Sequence, residues 1–111
     1  MSIAIYDLLP TGENNAISRR ELMSITGYTD RQLRRQIAAE RRAGALILSS
    51  VDGTRGGYFK PTEGNSSEIK RYIASMASHA KNTLVMAMKA YEALEELEEQ
   101  EESEQYAETL I

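Results

Sequence analysis

The chain has 111 residues, 41% of them hydrophobic and 27% charged, which is the balance of one globular domain with a modest core. It has no cysteine, which excludes a disulfide framework, thiolate metal sites and a cysteine nucleophile and fits a reducing cytoplasm. The formal net charge of −4 conceals a segregation, because residues 16–60 carry nine Lys/Arg against four acids while residues 91–111 carry nine acids and no base; overall acidity does not argue against nucleic acid.

The amino-terminal "MSIAIYDLLP" has no basic leader, and no apolar run approaches the roughly 18 residues of a membrane span. A cytoplasmic protein that does not enter the membrane is expected. "LPTG" (Leu9–Gly12) resembles a cell-wall sorting signal but lacks the residue such a signal places between its Pro and Thr, and it stands at the wrong end. A first helix is predicted over about Ile3–Leu9, where Ile5, Leu8 and Leu9 share one side before Pro10 and Gly12 stop it. "ENNAIS" then reads as a loop with one short strand at Ile17.

Ser18 and Glu21 have the spacing of a capping box, which predicts a helix from Arg19 to about Thr26 closed by Gly27. Thr29 and Gln32 repeat the device, with Asp30 adding negative charge at the positive helix end, so a second helix runs to about Ala43 with Gly44 as its stop. Two short helices across a tight glycine turn make a helix-turn-helix. "ALILSS" and "YFK" follow as short strands around the turn-rich "VDGTRGG", and Pro61 ends the second. A hairpin in that position is a wing.

From Ser67 to about Gln100 neither Pro nor Gly interrupts the chain. Ile73, Met76, Ala80, Leu84, Ala87, Tyr91 and Leu94 recur at steps of three and four, the pattern of a helix with one apolar stripe. Such a helix is about 50 Å long at roughly 1.5 Å per residue, more than a small domain covers. The expected architecture is mainly α with a small β-wing: a winged helix-turn-helix domain over residues 1–63, a long amphipathic dimerisation helix over 64–100, and an acidic, frayed tail over 101–111. The acidic stretch from Glu92 to Glu108, read as a solvated helix end that frays, is open to a second reading, in which it competes for the basic face as a weak internal DNA mimic.

With Leu33 and Ile37 taken as the core seats of the second helix, a 100° advance per residue puts Arg31, Arg35, Ala38 and Arg42 on the opposite face and Gln32, Arg34 and Ala39 on its flanks. Arginine donates two parallel bonds to guanine O6 and N7, glutamine does the same for adenine, and further guanidiniums bind phosphate. These are the groups of a recognition helix in a major groove, joined by Arg55 at the wing tip and Lys60 on its return strand. Glu40 rotates in beside Leu33 and Ile37, where a carboxylate is costly to bury unless paired; an ion pair with Arg19 or Arg20 is the expectation.

On these residues, Ile3 to Pro61 resembles a winged helix-turn-helix domain of bacterial or phage type. "DRQLRRQIAAERRAGALI" followed by "GTRGGYFKP" is similar to small phage and prophage DNA-binding proteins of Gram-positive bacteria. "GGY" is also similar to the wing return of iron-sulfur-sensing repressors, which continue into a long dimerisation helix, but their cluster-binding cysteines are absent here and the sensing does not carry over. The resemblance implies a dimeric transcriptional regulator that binds double-stranded DNA at pseudo-palindromic half-sites. Two rivals share the pattern: an oligomeric phage DNA-packaging or replication component, and a winged-helix protein-interaction module that has lost its DNA.

An enzyme is not expected. His79 has no Asp, Glu or Cys at ligand spacing, and Gly53, Gly56 and Gly57 do not precede a helix as a phosphate loop must. No cofactor, metal or small-molecule ligand is called for, since "EELEEQEESEQ" offers no ordered ligand set.

Overall fold

A computed structural model describes residues 3–50 and 56–110. It is mainly helical, with a two-stranded antiparallel sheet and a long carboxy-terminal helix. In chain order come α1 (Ile5–Leu8), a 3₁₀ turn (Glu13–Asn15), α2 (Arg19–Thr26), α3 (Asp30–Arg42), β1 (Leu48–Ser49), β2 (Tyr58–Phe59) and α4 (Ser66–Leu110). Residues 1–75 and 76–111 form two compact units.

Local signals fix α2 and α3. Ser18 Oγ accepts from the Glu21 N–H at 3.1 Å, and Gly27 closes α2 in the left-handed region at φ 74° while its N–H returns to Met23. At Thr29 both halves of the capping box are made: Thr29 Oγ1 accepts from Gln32 N–H at 3.2 Å, and Gln32 Oε1 accepts from Thr29 N–H at 2.9 Å. α1 is shorter than its apolar spacing suggests: Ala4 makes no side-chain cap bond, and Leu9, which precedes Pro10, is already extended at φ −80° and ψ 139°.

Ile5, Leu9, Leu22, Leu33, Ile37 and Ile47 meet in one buried cluster, so α1, α2 and α3 close on a shared centre. Each such side chain contributes roughly 1.5–3 kcal/mol on full burial. Leu48 of β1 and Phe59 of β2 are buried and paired in register. Ile17 extends the sheet by an isolated bridge, exchanging both backbone bonds with Tyr58 at 2.8 and 2.9 Å. Gly57 permits that approach: a Cβ there would lie 2.5 Å from the Ile17 carbonyl oxygen.

The first turns of α4 are tied into the first unit. Glu68, 5% exposed, accepts from the Glu13 N–H and the Thr62 N–H, both at 2.8 Å, and Arg71 pairs with Glu13 at 2.7 Å. The second unit, from Met76, is helical to Leu110, so α4 continues through the segment read above as a tail. Every residue from Met76 to Thr109 is exposed.

Candidate nucleic-acid interface on α3

α3 has one face fastened to the core and one turned to solvent. Leu33 and Ile37 are 0% and 2% exposed, whereas Arg31, Gln32, Arg34, Arg35, Ala39 and Arg42 are all exposed and Ala38 is partly covered. The helix thereby presents four guanidiniums and an amide at the surface on a rigid, capped support. Gln32 has a prior engagement: its Oε1 holds the cap bond to Thr29 N–H, so a bidentate contact to adenine competes with the capping box.

Other basic residues are placed differently. Arg34 forms an ion pair with Asp30, one turn back, and Asp30 also pairs with Arg19 of α2 at 2.9 Å. Asp30 therefore gathers Arg19 and Arg34 across the two helices, so Arg19 is tied to α3 through Asp30 and not through Glu40. Arg41 serves the fold: Nε donates to the Ile47 carbonyl at 2.9 Å, Nη2 donates to Ser49 Oγ at 2.8 Å, and the guanidinium lies 5.2 Å from the Tyr72 ring and 5.9 Å from that of Tyr58. Lys60 is half-buried with its ammonium 4.6 Å from the Tyr6 ring centre. Arg55 lies outside the described residues.

Glu40 is not ion-paired to Arg19 or Arg20, and this corrects the sequence expectation. Its Oε2 accepts from Ile5 N–H at 2.8 Å and its Oε1 from Tyr6 N–H at 2.9 Å, with Gln36 Nε2 donating to Oε2 at 2.9 Å. The carboxylate is the missing cap of α1. Backbone donors and the positive end of a short helix supply the compensation that a guanidinium was expected to give.

Glu40 is half-buried, whereas the carboxylate of Glu68 is buried. Burial opposes its ionisation, but the Thr62 and Glu13 N–H donors, the Thr62 hydroxyl and the Arg71 guanidinium outweigh burial and hold its carboxyl below the usual value. A depressed folded-state pKa contributes stability that is complete above the unfolded value near 4.5 and is lost as pH falls through the folded value. Glu68→Gln is expected to cost about 1–3 kcal/mol at neutral pH. In urea melts at stepped pH, the gap between the two proteins narrows below the unfolded value; a gap that stays constant into strong acid contradicts the assignment.

The proposed helical stripe of α4 is at the surface: Leu84 and Tyr91 are 61% and 63% exposed, and Ile73, Met76, Ala80, Ala87 and Leu94 are exposed as well. So are Val85, Met86, Met88 and Leu97, which the stripe left out. Among the described residues no group of His, Cys, Asp and Glu is arranged to hold a metal ion, and no helix is long and apolar enough to cross a membrane. Comparison with protein-family models, curated proteins and solved structures gives no match.

Proposed function

We propose that this protein is a winged helix-turn-helix that binds double-stranded DNA through α3, and that it acts in the cytoplasm as a dimeric transcriptional regulator of phage or prophage type. The observation that supports the reading is the division of α3. Its apolar side is locked to the core through Leu33 and Ile37, while Arg31, Arg34, Arg35 and Arg42 face solvent without Arg41, which the fold consumes. A helix held in this way presents guanidiniums to a groove with little loss of order on binding.

In this reading α2 and α3 are the helix pair, and the segment between β1 and β2, which carries Arg55 in sequence, is the wing. Arg19, joined to α3 through Asp30, and Lys60 add phosphate contacts, and the exposed face of α4 joins two copies. The test is titration of labelled random-sequence duplex across a salt series. Binding is expected at low salt, falling with a log-log slope of about −0.9 per neutralised phosphate. Absence of binding to any duplex at low salt rejects the reading and leaves α3 as a surface for a protein partner.

A further inference from the structure

The charge along α4 is divided about a boundary near Tyr91. From Met76 to Ala90 the helix carries Lys81 and Lys89 and no acid, whereas from Glu92 to Glu108 it carries nine acids and no base. A parallel, in-register pair would set the two acidic segments side by side along their whole length. Like charges at that density repel, and no cation on α4 after Lys89 offsets them.

The large and small residues of the exposed stripe are ordered in a complementary way. Counting about an axis between Val85 and Met86, Leu84 of one copy meets Ala87 of the other, Ala80 meets Tyr91, and Ala77 meets Leu94. In these three layers a bulky residue opposes an alanine, the alternation that lets two helices approach and interdigitate, while Ile73 and Met76 face Glu98 and Glu95 and lie outside the apolar contact. In the parallel register Ala80 meets Ala80 and Tyr91 meets Tyr91, leaving gaps and collisions at alternate levels. The same axis passes through Leu84–Met88, the run of α4 that is apolar on every side and exposed throughout. Lys81 and Glu92 then lie on the same flank of the pair, about 3 Å apart in axial level at roughly 1.5 Å rise per residue.

From this complementarity of charge and volume we infer that α4 pairs with a second copy of itself in antiparallel orientation, centred between Val85 and Met86. The inference rests on the homodimer reading above and specifies its geometry. The symmetric contact is isologous, so each Lys81–Glu92 pair occurs twice, and the acidic segments point in opposite directions.

The absence of native cysteine makes single-site labelling direct. A spin label on Ser103→Cys in the full chain reports the separation of the two acidic segments. The antiparallel pair is expected to give a distance on the order of 50 Å along the helix axis, whereas a parallel pair gives a label separation of roughly 10–15 Å, close to the interaxial distance. The short distance in a protein of dimeric mass overturns the antiparallel inference and leaves the dimer reading standing. A monomeric mass at micromolar concentration overturns both. Sedimentation of Lys81→Glu, Glu92→Lys and the doubly exchanged chain provides a second check: each single reversal is expected to weaken the dimer several-fold and the double exchange to restore it. Failure of the double exchange to restore it counts against this register.

Discussion

Simultaneous replacement of Arg31, Arg35 and Arg42 by alanine is expected to weaken duplex binding by roughly a thousand-fold or more, at about 1–3 kcal/mol for each good contact. All three are exposed on the face of α3 that lies opposite Leu33 and Ile37, so their truncation leaves the core unchanged. Thermal stability is expected to stay within about 0.5 kcal/mol of the parent, the range of ordinary surface substitutions. The combination matters, because loss of binding with the fold intact locates the contact on α3. Single replacements then separate the roles. A uniform weakening across sequences, with a shallower salt dependence, assigns an arginine to phosphate; a selective loss at one base position assigns it to base reading. If the triple variant binds as tightly as the parent, α3 is not the recognition helix.

The boundaries of α2 and α3 were legible because their determinants are local. Ser18, Gly27, Thr29 and Gln32 act within four residues of the bonds they make, and the structure shows those bonds. The division of α3 was legible for a related reason, since a 3.6-residue period around Leu33 and Ile37 leaves only one direction for the remaining side chains. What escaped was nonlocal. Arg41 sits 80° from Leu33 by phase and resembles its neighbours in sequence, yet Ile47, Ser49, Tyr58 and Tyr72 converge on it from three other segments. Glu68 gave no signal of its own, because the backbone groups it satisfies belong to Glu13 and Thr62. For the same reason the tie of α4 to the first unit was not visible: it is made by a side chain whose partners are remote.

Glu40 is the instructive intermediate. Its phase beside Leu33 and Ile37 announced a carboxylate that needed compensation, and helical geometry alone recovered that much. The partner is not legible from charge, because the groups that compensate this carboxylate are the backbone N–H donors of Ile5 and Tyr6, remote in sequence. The helix that Glu40 caps begins at Ile5, after Ala4, and not at Ile3 where apolar spacing placed its start, so its need for an acceptor was not visible in the sequence.

Glu40→Ala is therefore expected to destabilise the fold by about 2–4 kcal/mol, the summed cost of leaving two part-buried N–H donors unsatisfied at about 1–3 kcal/mol each, with partial relief from water. The loss is expected to concentrate on α1. Ile5 is fully buried in the central cluster, so α1 cannot fray without withdrawing a core residue. Amide exchange at Ile5 and Tyr6 is expected to accelerate more than exchange within α2. Glu40→Gln is expected to lose less, because its single carbonyl oxygen can accept from one of the two donors while its amide nitrogen faces the other. Arg19→Ala and Arg20→Ala discriminate the capping arrangement from the ion pair: an ion pair makes one of them as costly as Glu40→Ala, whereas a backbone cap leaves exchange at Ile5 and Tyr6 unchanged in both. Urea midpoints for the four variants, read with amide exchange, decide between them. If Glu40→Ala unfolds at the parent's midpoint, the carboxylate is not what holds α1 to the core.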